Sequence, residues 1–183
     1  MNKTYQQFLK EQSGKTAVYT FGRFNPPTIG HEKLLRVVDT TSKKEGGDYF
    51  VYTSHSQDSK KNPLSHKQTI NFLKLIFSKH RPYIEDSTAT TALHAASDIY
   101  DKGGYSKLVM VVGSDRVRDF STLLNRYNDS KSKHGYYKFD SIEVISAGER
   151  DPDAEGADGM SASKMRQSVK DSDYDVFKMG LPS

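Results

Sequence analysis

Apolar and polar positions along this chain switch repeatedly between two rhythms. Lys15–Phe21 (KTAVYTF) is a run of β-branched and aromatic residues that predicts a first strand, and the loop GRFNPPTIG follows it. From about Gly30 to Thr41 the apolar residues Leu34, Leu35, Val37 and Val38 form a helical stripe. Gly46 and Gly47 break the chain before a second strand, Asp48–Ser54. Ser65-His66-Lys67-Gln68 has the spacing of a capping box and predicts a helix running through Lys79. A short strand near Pro82–Glu85 and a helix around Thr91–Lys102 come next, the helix stopped by Gly103 and Gly104. Lys107–Val112 (KLVMVV) is apolar enough to be buried on both faces. After Gly113-Ser114-Asp115 the pattern predicts a short helix near Val117–Asn125, a fifth strand at Ser141–Ser146 and a closing helix over Ser161–Val169.

This β-α alternation predicts an α/β fold: a Rossmann-like, doubly wound, five-stranded parallel sheet of order 3-2-1-4-5 with helices on both faces. No repeat divides the chain, and 183 residues suit one domain, 1–183, with a motif-bearing core of about 15–169. In such sheets ligands bind at the carboxyl ends of the strands, where the strand order reverses. The predicted order puts that crevice between strands one and four. Their loops, GRFNPPTIGH and GSD, are the two most unusual in the sequence.

Composition narrows the picture. With no cysteine there is no disulfide, no thiolate nucleophile and no Cys-based zinc site. No segment approaches the roughly 20 apolar residues needed to span a bilayer, and the first residues lack the apolar run of a signal peptide. A cytoplasmic protein without membrane association is expected. The 27 Lys and Arg against 23 Asp and Glu give a net charge of +4, a mild bias toward polyanions and thin support for nucleic-acid binding, which usually shows a concentrated basic face. The six histidines show no metal-site spacing, so no metal ligands are assigned. The acidic run Asp151, Asp153, Glu155 and Asp158 reads as a solvated loop.

Four segments carry chemistry. In Gly22-Arg23-Phe24-Asn25-Pro26-Pro27-Thr28-Ile29-Gly30-His31, Gly22 allows a ligand near the backbone and the prolines stiffen the loop. Thr28 and His31 stand three apart at a helix mouth, whose free N–H groups and partial positive charge suit a phosphate. In Met160-Ser161-Ala162-Ser163-Lys164-Met165-Arg166, the serines cap a helix and add hydroxyls to a second anion cradle, with Lys164 and a potentially bidentate Arg166. The third segment is the turn Gly113-Ser114-Asp115. The fourth is Lys60-Lys61-Asn62-Pro63-Leu64-Ser65-His66-Lys67-Gln68. Phe24 and Tyr19 are candidates to line a base pocket.

The first segment resembles the signature Gly-x-Phe-x-Pro-x-(His/Thr)-x-Gly-His of the cytidylyltransferase-like nucleotidyltransferase superfamily. The second resembles its Ile-Ser-x-Thr-x-x-Arg motif, with Met160 and Ser163 in place of Ile and Thr. The resemblance implies catalytic roles for Thr28, His31 and Arg166. It implies nucleotide contacts at Gly22, Arg23, Phe24, Gly30, Gly113, Asp115, Ser161, Ser163 and Lys164. The fourth segment resembles the Asn-Pro-Phe-(Thr/Ser)-x-x-Glu-Arg stretch of nicotinamide mononucleotide adenylyltransferases, which assigns Lys61 and Asn62 to the acceptor. Lys67-Gln68 stands where those enzymes carry Glu-Arg.

The implied reaction transfers adenylyl from ATP to nicotinamide mononucleotide with release of pyrophosphate, Mg²⁺ bridging the triphosphate. A phosphate nucleophile is already anionic near neutral pH, so no general base is needed. The alternatives are a cytidylyltransferase or pantetheine-phosphate adenylyltransferase on another phosphorylated acceptor, and a non-catalytic nucleotide-binding or assembly module. A homo-oligomer is compatible with any of them.

Overall fold

The computed structural model describes residues 14–148 and 160–181. The acidic residues Asp151, Asp153, Glu155 and Asp158 lie outside them. Four parallel strands form one sheet: β1 (Lys15–Gly22), β2 (Asp48–Thr53), β3 (Tyr105–Val112) and β4 (Ser141–Ser146), in the order β2-β1-β3-β4. The helices are α1 (Ile29–Glu45), α2 (His66–Ile76), α3 (Ala92–Lys102), α4 (Val117–Tyr127), α5 (Ala162–Lys170) and α6 (Tyr174–Met179).

Alternation along the central strands divides the core. Ala17 and Tyr19 of β1, with Leu108, Met110 and Val112 of β3, pack against α3 and Leu124 of α4. Val18, Val109 and Val111 face the other way, onto Leu35 and Val38 of α1 and Ile70 and Leu73 of α2. Successive residues of a strand point to opposite faces, so a sheet covered on both sides must be apolar almost continuously. Burial of Thr16 through Thr20 and of Leu108 through Val112 meets that requirement.

Among the described residues the expected five strands are four. Pro82–Glu85 was the predicted third strand, but Ser78–Tyr83 winds into a 3₁₀ turn that contains Pro82. Proline has no N–H to give a ladder, and the Ile84 N–H turns back to the Arg81 carbonyl. Only one parallel bridge remains, Val51 to Ile84, with the Glu85 N–H donating to the Val51 carbonyl. The segment keeps its place beside β2 without becoming a strand. The same turn ends α2 at Ile76, short of the predicted Lys79.

Helix α1 runs past the predicted Thr41 to Glu45 and stops at Gly46, which is left-handed at φ 63°. Gly47 then lies flat against β1: a Cβ there would fall on the Thr16 carbonyl oxygen. The α1–β2 connection is therefore tight for two separate reasons. Gly46 has open space around it and only a conformational requirement, whereas Gly47 has no space.

These requirements separate by mutation. Gly46→Ala should cost about 1–2 kcal/mol of stability, the left-handed penalty. Gly47→Ala must displace the β1 backbone and should cost about 1–3 kcal/mol in urea denaturation with a shifted β1–β2 register. A Gly47→Ala protein of wild-type stability would show that β2 is free to move away from β1.

Candidate nucleotide and acceptor site

Every strand runs the same way, so the carboxyl ends of β1, β2 and β3 share one edge. A cavity of about 890 Å³ opens there. Gly22, Arg23, Phe24, Asn25 and His31 line it from the β1 loop, Gly113 and Asp115 from the β3 turn, and Ser163 and Arg166 from α5. Lys61 and Asn62 close a further wall, and Thr90, Thr91, Phe120, Leu123, Tyr127 and His134 form another. The β1 and β3 loops thus meet at one crevice. Thr28, Gly30, Ser161 and Lys164 do not line it.

The β1 loop is held in an unusual shape. Phe24 has φ 48°, a left-handed conformation that costs a bulky residue energy, yet its side chain is buried. Its ring lies over Gly22, where a Cβ would sit 2.9 Å from Phe24 Cε2, and against the His31 ring at 4.8 Å. Gly22 is therefore required by the loop's own packing. Gly113 differs, since a Cβ there would meet only Asp115 Oδ1, at 2.8 Å, the end of an exposed side chain that can turn away. Gly30 is exposed, and a Cβ there would lie 3.6 Å from Thr28 Oγ1, an ordinary contact. Folding alone does not demand glycine at that position.

Thr28 is the N-cap of α1 and is buried. Its N–H donates to His31 Nδ1 at 2.9 Å, and its hydroxyl is 3.1 Å from the same nitrogen. A histidine ring here does the work of the Glu or Gln in a capping box. Because Nδ1 accepts the Thr28 N–H, the proton of the neutral ring resides on Nε2. Thr28 is turned inward to hold His31, and His31 reaches the cavity. The Ile29 N–H at this helix mouth donates to the Gly180 carbonyl, so the chain beyond α6 folds back onto α1.

Arg166 is half-buried and spans two elements. Its Nη1 donates to the Asn25 carbonyl at 2.6 Å and its Nη2 to Ser163 Oγ at 3.0 Å. Ser161 caps α5 by accepting the Lys164 N–H. Asn25, which sequence reasoning did not single out, joins the loops: its Nδ2 donates to the Leu64 carbonyl at 2.8 Å, and the Leu64 N–H donates to its Oδ1 at 3.0 Å. A polar residue flanked by Phe24 and two prolines was the available signal.

The Lys60–Leu64 loop is organised by Asp58. Its carboxylate accepts the N–H groups of Lys60 and Lys61 and the side-chain amide of Asn62. These bonds, the Lys61 N–H foremost, lower its pKa to about 2. Beyond this loop His66 stacks on His55 at 3.7 Å and sits 2.9 Å from Thr53 Oγ1. Burial, then the neighbouring His55, pushes the His66 pKa down, with Asp86 opposing. Tyr19, a candidate for the base pocket, is instead core: it is fully buried, and its hydroxyl donates to the Ala92 carbonyl.

A parallel α/β sheet whose strand-end crevice carries cations, hydroxyls and helix N-termini is a nucleotide-binding architecture. Residues 19–168 match the family model described as cytidylyltransferase-like. The chain belongs to that family, and with it to the nucleotidyltransferases. No curated protein matches it. No helix among the described residues is long and apolar enough to cross a membrane.

Asn25 offers a direct test of how the site is held. Asn25→Ala removes both bonds to Leu64 and leaves backbone groups unpaired, which should cost about 1–3 kcal/mol. Hydrogen exchange should speed up in residues 58–64 while the β1 and β3 amides stay protected. Equal acceleration throughout the sheet would mean that Asn25 supports the fold as a whole.

Proposed function

We propose that the protein is an adenylyltransferase that joins ATP to nicotinamide mononucleotide and releases pyrophosphate. The observation that carries the reading is the meeting of His31, Arg166 and Ser163 with the Gly113–Asp115 turn around one crevice. In the proposed reaction an acceptor phosphate oxygen attacks the α-phosphorus in line. A new P–O bond forms as the bond to the pyrophosphate oxygen breaks. The attacking phosphate needs no general base, so positioning and charge neutralisation supply the catalysis.

His31 donates from Nε2 to a phosphate oxygen as negative charge builds, a role supported by the Thr28 N–H that occupies Nδ1. Thr28 acts here chiefly through that bond. Arg166 and Ser163 face the β- and γ-phosphates, and Ser161 acts behind them by capping α5 through the Lys164 N–H. Gly30 leaves room for a phosphate against the first turn of α1. Gly22, Arg23 and Phe24 line the nucleotide's path, and Gly113 and Asp115 face its ribose. Lys61 and Asn62 face the acceptor. Mg²⁺ enters the proposal with the triphosphate: among the described residues no three His, Asp or Glu gather to hold a metal. Bound with the triphosphate, Mg²⁺ would supply charge neutralisation for the leaving pyrophosphate.

Pyrophosphate release with each of four NTPs against a panel of phosphorylated acceptors tests the assignment. ATP with nicotinamide mononucleotide should be the fastest pair, and His31→Ala should lower its kcat by about 10²–10³. A fastest pair containing CTP or phosphopantetheine would move the chain to another branch of the family. Absence of turnover with every pair, alongside tight nucleotide binding, would favour a non-catalytic module.

Arg166→Ala should weaken ATP binding by about ten- to a hundredfold and AMP binding far less. Arg166→Lys should restore only part, because an ammonium cannot bridge Asn25 and Ser163 as the guanidinium fork does. Calorimetry with ATP, ADP and AMP measures this. Equal losses for all three would assign Arg166 to holding the Asn25 loop.

A further inference from the structure

Gly180 ends α6 at φ −85° and ψ −7°, a negative φ that residues with side chains adopt freely, so its backbone does not call for glycine. Its surroundings do. Gly180 is buried, and a Cβ there would lie 2.5 Å from Met165 Sδ and 2.6 Å from Met160 Cγ. Both methionines are buried themselves. The slot between them admits a backbone and no side chain. None of the residues of α6 is buried, and its Tyr174 and Met179 are 68% and 44% exposed, so the hold of this segment on the body concentrates at Gly180.

The slot brings one carbonyl to the mouth of α1, where Gly180 O accepts the Ile29 N–H at 2.9 Å. The first N–H groups of a helix have no partner within it, so an acceptor from outside fixes the turn. Ile29 stands between the Thr28 cap and Gly30-His31, and the His31 ring is held by the Thr28 N–H at Nδ1. The methionines flank the start of α5: Met160 precedes its cap Ser161, and Met165 precedes Arg166. One glycine therefore touches the openings of both helices that bring His31 and Arg166 to the cavity.

We propose that Gly180 is a positioning residue for nucleotidyl transfer: seated between Met160 and Met165, its carbonyl fixes the first turn of α1 against the start of α5 and so aligns the His31 imidazole with a triphosphate held at Arg166. Arg166 keeps its own bonds to Asn25 and Ser163, so the Gly180 contact governs the alignment of His31 and leaves nucleotide binding in place. The inference rests on the transfer reading above and extends the site to a segment that does not line the cavity.

The test breaks the bond from each side in the full chain. Ile29→Pro deletes the N–H at the helix position that best tolerates proline, and Thr28 already has the extended backbone, φ −138° and ψ 167°, that a residue before proline takes. Ile29→Ala shortens the same side chain, keeps the N–H and is the reference. Gly180→Val pushes the carbonyl away from Ile29. With ATP and nicotinamide mononucleotide, or whichever pair releases pyrophosphate fastest, kcat of Ile29→Pro should fall about ten- to a hundredfold below that of Ile29→Ala. KM for the nucleotide should stay within about threefold, and Gly180→Val should repeat the split. Long-range ¹H–¹⁵N spectra supply a readout that needs no turnover. The His31 ring should be a single Nε2–H tautomer in the wild type and Ile29→Ala, and a mixture in Ile29→Pro and Gly180→Val.

Equal kcat in Ile29→Pro and Ile29→Ala overturns the proposal. So does a KM for the nucleotide that rises as far as kcat falls, which would make the segment a general support of the fold. A His31 tautomer undisturbed in Ile29→Pro overturns it whatever the rate. If Gly180→Val fails to fold, Ile29→Pro decides alone. If the wild type releases pyrophosphate with no pair, the transfer reading fails separately. The spectra then judge the contact: a mixed ring in Ile29→Pro retains the hold of Gly180 on His31, and a single form removes it.

Discussion

The site depends on one residue's use of its polar atoms. Asn25 presents its side-chain amide to Leu64 as a strand would present its backbone, giving one hydrogen bond and receiving one. Its own carbonyl takes the Arg166 guanidinium. Three segments far apart in sequence are thereby fixed to each other: the β1 loop, the loop after β2 and the start of α5. Each of these bonds is buried or partly buried, where an unmet partner costs more than a met one returns.

Around that joint the protein gathers positive charge and hydrogen-bond donors. His31 is held by a backbone N–H, and Arg166 by a carbonyl and a serine hydroxyl. All are donors or cations, suited to a substrate that carries its negative charge into the reaction and must shed part of it as pyrophosphate. The Asp58 carboxylate, beside the Lys61–Asn62 wall of the cavity, is occupied by the N–H groups of its own loop and by Asn62.

Arg166 joins two demands in one side chain. It closes the loop structure in the folded protein and faces a cavity whose proposed ligand is polyanionic. Guanidinium geometry permits both, because its five N–H donors exceed the two that the protein uses. The Phe24 backbone has a comparable double character. Its left-handed conformation is a local cost, offset by burial of the ring between Gly22 and His31, and the same ring braces the histidine.

Local pattern was enough to read most of this protein. The apolar runs at β1 and β3, the capping box at Ser65 and the glycines after α1 each act within a few residues, so the doubly wound plan and the two loops at its crevice were legible. Residues of all four motif segments line one cavity, a meeting that their positions along the chain do not display. What lay beyond reach depended on partners distant in the chain. Pro82 and its neighbours spend their backbone bonds in a 3₁₀ turn, which reduces a predicted strand to one bridge with Val51. Tyr19 looked like a base-pocket residue until strand alternation placed it in the core beneath α3. The return of Gly180 to the mouth of α1 follows from packing on Met160 and Met165, for which the tail carries no local mark. Asn25 and Asn62 read alike in sequence, each an asparagine before a proline. Only the tertiary structure satisfies both polar ends of the first and leaves one end of the second unpaired, because hydrogen-bond satisfaction is decided by which segments meet.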